Sequence, residues 1–236
     1  MQEANNPEKM RISFDLDEVL FVNPKTHKTE PELPIPFKAF YKERLRAGAP
    51  ELINTLQQMG FEVWVYTSSF RSINYIQGLF RHYGVKFDGI VNAERHLKEV
   101  QQNRTQILPQ KVPNKYRISL HIDDEAVICS YGREYGFDAY QLDAEDDQWK
   151  EKVIAKAEEV LKHLTATMRG QIQEEVVVVE GSGDGYSSAR IMTKQIAEKD
   201  RLKAAELLAK RYGILTDKVK LDVTPIVIGG EEDLED

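Results

Sequence analysis

The sequence predicts an α/β fold, in which a parallel sheet carries helices on both faces, followed by a small α+β extension. Short apolar runs of strand length alternate with helical patterns up to about residue 142, and this alternation is typical of parallel sheets. Three of the runs end in hydroxyl or carboxylate clusters, and the carboxyl ends of parallel strands meet in one crevice. After Gly170 the alternation stops, so a second unit begins near that point.

Five strands and three helices account for the alternating part of the chain. The predicted strands are Met10–Phe14, Phe61–Tyr66, Phe87–Val91, Arg117–Ile122 and Phe137–Leu142. The first two helices, which each end before a glycine, are Pro50–Met59 and Ser72–Tyr83. A long helix with one apolar stripe then follows, capped at its start by Asp146 or Asp147 and ending near Gly170.

Residues 21–36 (FVNPKTHKTEPELPIP) interrupt the alternation just after the first strand. Four prolines lie within this segment, and proline removes a backbone donor and disrupts helices. We therefore predict a loop or flap beside the end of the first strand.

The extension beyond Gly170 is too small to bury a large core of its own. It contains a strand candidate at 174–179 (EEVVVV), a flexible turn at 180–188, a helix at Asp200–Tyr212 and a further strand at Val223–Ile228. Such a short segment needs docking or oligomerisation for stability. We therefore divide the chain into domains 1–168 and 169–236 and expect a homo-oligomer formed through the second.

The composition narrows the class of protein. The chain has 236 residues and a net charge of −7, and its apolar runs are far shorter than the ~20 residues that a membrane span needs. We expect no membrane partner and a cytoplasmic protein, since the first ten residues lack an apolar signal segment. The single cysteine excludes an internal disulfide framework and a thiolate zinc cluster. The negative net charge argues against a protein that coats nucleic acid without sequence preference.

Four carboxylates lie at the ends of two predicted strands. Asp15 and Asp17 follow the first strand, and Asp123 and Asp124 follow the fourth. Like charges this close repel one another, so a cation or a shared proton must offset them. Carboxylates without histidines at ligand spacing favour a hard cation that prefers oxygen ligands, Mg²⁺ first.

A hydroxyl and an ammonium group complete the set. Thr67 ends the second strand, and Lys111 lies upstream of the fourth. Carboxylates, a hydroxyl, a lysine and Mg²⁺ are the groups that phosphoryl transfer uses, because its chemistry is mostly positioning and charge neutralisation.

These residues occur in the order and context of the haloacid dehalogenase (HAD) superfamily, whose members are mainly phosphatases. DLDEVL at 15–20 resembles the first motif, D-x-D-x-[TV]-[LV], and Thr67 in VWVYTSS resembles the second. Lys111 in KVPNKYRISLHIDD resembles the third, and the acidic pair in LHIDDE resembles the fourth. The resemblance covers about residues 8–165 and implies a three-layer, Rossmann-like α/β fold.

The resemblance also implies a role for each residue. Asp15 is the nucleophile that becomes an aspartyl-phosphate, and Asp17 is the general acid and base. Thr67, Ser68 and Lys111 bind the phosphoryl oxygens. The implied Mg²⁺ ligands are Asp15, Asp17 (through its backbone carbonyl), Asp123 and Asp124.

The motif hydroxyl and the motif lysine each have alternative residues nearby, and the family's cap insertions are reduced in this chain. Ser68 could replace Thr67, and Lys115 or Lys98 could replace Lys111. The family's caps follow the first or second motif, but here the first insertion is the short proline-rich segment and the second is negligible. We expect a minimal cap and an open site, which admits phosphorylated substrates from small molecules to macromolecules.

The extension carries a second resemblance. KDRLKAAELLAKRYG at 199–213, followed by TDKV, is similar to the C-terminal part of phage terminase small subunits, over about 171–230. The resemblance implies oligomerisation, a phage packaging partner and a bacterial or phage-infected host cell.

Two functions follow. The first is a Mg²⁺-dependent phosphohydrolase that acts on an unidentified phosphomonoester. The alternative is a terminase-like assembly or DNA-packaging protein in which the HAD-like domain is a scaffold.

Overall fold

A computed structural model of the protein describes residues 9–102, 108–181 and 187–211. Its main sheet has five parallel strands in the order β3-β2-β1-β4-β5. These strands are β1 (Arg11–Phe14), β2 (Glu62–Tyr66), β3 (Gly89–Val91), β4 (Ile118–Asp123) and β5 (Asp138–Gln141). The predicted parallel α/β fold is therefore confirmed, with β1 at the centre of the sheet.

Helices follow the strands in the predicted alternation. The helices are α1 (Phe37–Phe40), α2 (Ala49–Gln58), α3 (Ile73–His82), α4 (Ala93–His96), α5 (Ala126–Tyr135), α6 (Trp149–Met168) and α7 (Glu198–Arg211). A π turn (Leu97–Gln101) continues α4, and a 3₁₀ turn (Pro113–Tyr116) precedes β4. The fourth strand begins one residue later than predicted because Arg117 has a left-handed backbone, with φ of 54°, at the end of the 3₁₀ turn.

Alternate residues of each strand bury their side chains on opposite faces of the sheet. On β2, Val63 and Val65 belong to the larger core, together with apolar residues of α2, α3 and α6. Trp64 and Tyr66 point to the smaller core, where the π turn and the 3₁₀ turn cover the sheet. The sheet therefore lies between two layers, as predicted.

The proline-rich segment is largely irregular, as predicted. It is tied back to the body by isolated bridges that pair Phe21 with Leu45 and Thr29 with Arg46. Only the four-residue α1 is helical near its end. Between this segment and β2, the described residues form α1, a loop and α2.

The start of α6 differs from the prediction. Gln148 is the N-cap residue and makes no side-chain cap. The Asp146 carboxylate accepts a hydrogen bond from the Gln148 amide (3.0 Å), so Asp146 closes the preceding turn instead of capping the helix. The prediction that Asp146 or Asp147 caps α6 was wrong, because the helix begins later than either residue can reach.

The extension forms a hairpin and a helix. Strand β6 (Gln173–Gly181) contains the predicted strand, and it pairs antiparallel with β7 (Ser187–Gln195). Strand β7 was not predicted, because its polar and charged residues give no clear apolar pattern. Helix α7 contacts α6 and buries Ala204 and Leu208. The middle of the predicted turn and the predicted strand Val223–Ile228 lie outside the described residues.

Among the described residues, no helix has the length and apolar character needed to cross a membrane.

Candidate active site

The chain turns sharply after β1 and separates the two aspartates of the first motif. The Asp15 amide continues the ladder by donating to the Ile122 carbonyl (2.9 Å), and the Asp15 side chain is buried. A tight turn follows, with Glu18 in a left-handed conformation (φ 57°). Asp17 therefore lies at the surface, and 53% of its side chain is exposed. The two aspartates differ in environment although they are two residues apart.

Lys111 is the lysine that reaches the carboxylates. Its Nζ lies 3.0 Å from Asp15 Oδ1 and 2.6 Å from Asp123 Oδ2, and only 2% of its side chain is exposed. The alternatives Lys98 and Lys115 are both exposed. A buried ammonium between two buried carboxylates offsets their repulsion. The two carboxylates raise the pKa of Lys111, against the opposing effect of burial.

Asp123 is anchored through both of its carboxylate oxygens. Oδ2 accepts from Lys111 Nζ and lies 2.9 Å from His121 Nε2, while Oδ1 accepts from the Glu125 amide (2.9 Å). Burial opposes ionisation, but the hydrogen bond from His121 and the charge of Lys111 outweigh it and lower the pKa of Asp123 to about 2. The Asp123 carboxylate is therefore ionised and fixed in position.

His121 contacts the Asp123 carboxylate, although the sequence analysis did not select it as a site residue. It is fully buried, and its Nδ1 lies 2.8 Å from Ser13 Oγ on the neighbouring strand. Because the Asp123 carboxylate can only accept, His121 donates from Nε2 and accepts from the Ser13 hydroxyl at Nδ1. The i, i+2 spacing of His121 and Asp123 on one strand was the available signal, because it places them on one face.

Three carboxylates converge on one point. Asp15, Asp123 and Asp124 each offer an oxygen, and these oxygens lie within 4.8 Å of one another. Asp15 Oδ1 is buried and makes no hydrogen bond of normal geometry, although Lys111 Nζ lies close by. Burial raises the pKa of Asp15, and it raises that of Asp124 to about 6. A set of three clustered carboxylates that offers only oxygen ligands fits a hard divalent cation such as Mg²⁺.

The carboxylate of Asp17 is not part of this cluster. Its Oδ2 instead accepts from Arg71 Nη1 (2.8 Å). Arg71 was not predicted to belong to the site, and no periodicity distinguishes it from a surface arginine. Its partners come from segments that are distant in sequence, so only the folded chain shows the contact.

Thr67 and Ser68 lie in different environments at the end of β2. Thr67 is buried, its amide donates to the Val91 carbonyl (2.9 Å), and its Oγ1 accepts from the Ser69 amide (3.1 Å). Ser68 is exposed. The loop after β2 is thus held by the Thr67 hydroxyl, at the same edge of the sheet as Asp15 and Asp123.

An open cleft of about 920 Å³ lies between the proline-rich segment, the start of α2 and the loop before α6. Arg46 lines it, donates to the Glu18 carbonyl (2.9 Å) and lies over the Trp149 ring. Lys28 and Lys150 also line the cleft. The loop before α6 adds the acidic residues Glu145, Asp146 and Asp147. Five of its lining residues are acidic and three are lysine or arginine, and none is a predicted site residue.

Comparison with known proteins shows that the second half of the chain is similar to terminase small subunits. Residues 139–227 match the family described as Terminase small subunit. The terminase small subunit of Bacillus phage SF6 is 38% identical over 88 residues, which are 37% of this chain and 58% of that protein. That of Bacillus phage SPP1 is 40% identical over 81 residues, or 34% and 52%. The chain thus spans little more than half the length of these relatives, and the predicted tail resemblance is confirmed.

The first part of the chain aligns with a solved structure of the predicted superfamily. A HAD-superfamily hydrolase from Geobacter sulfurreducens is 15% identical, and the alignment covers 63% of this chain and all of that chain with a TM-score of 0.41.

Proposed function

We propose that residues 1–168 form a Mg²⁺-dependent phosphohydrolase that works through an aspartyl-phosphate on Asp15. The observation that carries this proposal is the position of Lys111, whose buried ammonium lies within 3.0 Å of Asp15 and 2.6 Å of Asp123. Together with Asp124, these groups form a compact, mostly buried centre of alternating charge. Such a centre suits the neutralisation of a transferred phosphoryl group.

In the proposed reaction, a carboxylate oxygen of Asp15 attacks phosphorus and the bond to the leaving oxygen breaks. Asp17 gives a proton to that oxygen, then accepts one from a water that attacks the aspartyl-phosphate and releases inorganic phosphate. Lys111 and Thr67 bind phosphoryl oxygens, with Ser68 beside them. Burial raises the pKa of Asp15, and the charge of Lys111 opposes that effect.

Asp15, Asp123 and Asp124 would hold the cation through their side chains, and Asp17 through its backbone carbonyl. Bound Mg²⁺ would supply positive charge next to the phosphoryl oxygens. The support for this ligand set is the grouping of the three carboxylates, whose oxygens lie within 4.8 Å of one another.

The test is hydrolysis of a panel of phosphate esters, including phosphorylated DNA and RNA ends, with and without Mg²⁺. We expect Asp15→Asn to lower turnover by about six orders of magnitude, as loss of a nucleophile does. Asp138→Asn, at an exposed position on β5, is the matched control and should retain activity. Turnover by Asp15→Asn at the wild-type rate in Mg²⁺ would rule out the proposed mechanism.

We propose a second role, in assembly, for residues 169–236. The hairpin formed by β6 and β7 exposes Val177, Val179 and Ile191, each by more than 60%, and pairs Val177 directly with Ile191 on one face. A two-stranded hairpin alone is marginally stable, and its edges can pair with another chain. The likeness to terminase small subunits supports association with further copies and with a phage packaging partner.

Measurement of the molar mass in solution tests this role. We expect an oligomer that Val177→Asp together with Ile191→Asp converts to a monomer, because buried charge in the apolar contact is unfavourable. Glu174→Asp on the opposite face of the hairpin is the control and should leave the oligomer intact. A monomeric wild-type protein at micromolar concentration, with no affinity for a packaging protein or DNA, would remove the assembly role.

A further inference from the structure

We infer that Arg71 is a positioning residue that holds the Asp17 carboxylate toward the leaving oxygen. The inference rests on the proposed function, because it concerns the general acid of that reaction. It begins from the contact between Arg71 Nη1 and Asp17 Oδ2, at 2.8 Å. Asp17 lies on a turn, and more than half of its side chain is exposed, so little else restricts its rotamer.

The guanidinium of Arg71 is itself fixed on several sides. Its Nε donates to Glu43 Oε1 (2.9 Å), and its Nη1 also donates to Ser69 Oγ (2.8 Å). The second oxygen of Glu43 accepts a hydrogen bond from Tyr75 of α3. The guanidinium also lies over the Phe21 ring. Arg71 is therefore oriented by the segment between β1 and α2, by the loop after β2 and by α3.

The backbone of Arg71 is equally well anchored. Its amide donates to Ser69 Oγ (3.1 Å), and its carbonyl accepts from Asn92 Nδ2 (3.0 Å), which is buried at the end of β3. A rigid arginine thus meets a carboxylate that is held by little else. In such a pair the arginine determines the orientation, since its planar donors are pre-organised.

Stability alone does not account for this arrangement. Ion pairs with a partner as exposed as Asp17 contribute little to folding, whereas misplacement of a catalytic group lowers the rate strongly. The contact also links the segment between β1 and α2, through Glu43, to the chemistry at Asp17.

The test compares two esters that differ in their need for a general acid. p-Nitrophenyl phosphate releases a stable phenolate, whereas glycerol 2-phosphate releases an alkoxide that must be protonated. Their kcat/KM values follow the reaction up to departure of the leaving group. We expect Arg71→Gln to lower kcat/KM about 100-fold for the alkyl ester and less than about fivefold for the aryl ester, as loss of acid catalysis does.

The matched control is Arg44→Gln. Arg44 lies in the same segment as Glu43 and pairs with Glu32 (2.7 Å), but no contact joins it to Asp17 among the described residues. Arg44→Gln should leave kcat/KM unchanged for both esters. Arg71→Lys keeps the charge but lacks the planar fork whose separate nitrogens reach Glu43 and Asp17, so it should show the same selective loss if Arg71→Gln does not fold.

A double-mutant cycle completes the test. In the Asp17→Asn background, Arg71→Gln should cause no further loss that depends on the leaving group. An equal loss for both esters would overturn the assignment in favour of a structural role, and faster hydrolysis of the alkyl ester would mean that Arg71 restrains Asp17. If the wild-type protein hydrolyses no ester of the whole panel, the proposed function fails and the assignment fails with it. If the wild type is active, an equal loss for both esters or faster hydrolysis of the alkyl ester overturns only the assignment of Arg71 and leaves the proposed function standing.

Discussion

At the scale of single residues, Asp123 is the most firmly held carboxylate of the candidate site. Lys111, His121 and the Glu125 amide all donate to it. The sequence allowed Asp123 to be predicted as a ligand, because an acidic pair follows an apolar strand. It did not reveal His121, because the pairing of His121 with Ser13 depends on the register between β1 and β4. Arg71 was missed for a similar reason, since its partners are brought together only by folding.

The contact between His121 and Asp123 gives a prediction at this scale. Groups that orient a metal ligand typically change metal affinity 10–100-fold when they are removed. We expect His121→Phe to raise the Mg²⁺ concentration for half-maximal hydrolysis by about tenfold or more. A Mg²⁺ titration of activity measures this, with His163→Phe, an exposed position on α6, as the control. An unchanged titration midpoint for His121→Phe would contradict the role given to His121.

At the scale of elements, the pattern of apolar residues predicted the five strands of the sheet to within two residues. Strand β7 was not predicted because its residues are exposed on both faces, and its sequence therefore lacks the alternation of apolar and polar residues that predicts a strand. The cap of α6 was assigned to the wrong residue because Asp146 and Gln148 differ by only two positions. A sequence pattern seldom fixes helix ends that closely.

Strand β3 passes close to Trp64 at Gly89, which gives a prediction at the scale of elements. A Cβ added at Gly89 would lie 2.4 Å from ring atoms of Trp64, whereas a Cβ at Gly181 meets nothing within 4 Å. We expect Gly89→Ala to lower the free energy of unfolding by about 1–3 kcal/mol, as overpacking does. Gly181→Ala should have no such effect. Denaturant unfolding measures both, and equal stability of the two variants would mean that β2 and β3 are packed more loosely than described.

At the scale of the whole molecule, the proposed boundary at residue 168 separates hydrolysis from assembly. Helix α6 connects the two parts, because Trp149, Val153 and Ala157 belong to the core of the sheet and α6 also contacts α7. The match to terminase small subunits begins at residue 139, so α6 is common to both resemblances. The sequence could predict the two parts from composition. That α6 packs against both the sheet and α7 is shown only by the contacts in the folded chain.

Truncation after residue 168 tests this division. We expect the shortened protein to keep kcat/KM within about threefold of the full chain, because every described site residue lies before the cut. It should also be monomeric, since the hairpin is removed. Steady-state kinetics and molar mass in solution measure the two outcomes. Loss of hydrolysis with the fold retained would show that the site depends on the extension.

The central claim is that Asp15 is the nucleophile that receives the phosphoryl group. The most direct measurement is mass spectrometry of protein quenched in acid during turnover, because aspartyl-phosphates survive best under those conditions. The account predicts one phosphoryl group on the peptic peptide that contains Asp15, digested at the same acid pH, and none in Asp15→Asn. Steady turnover with an unmodified peptide, or with the phosphoryl group on another residue, would contradict it.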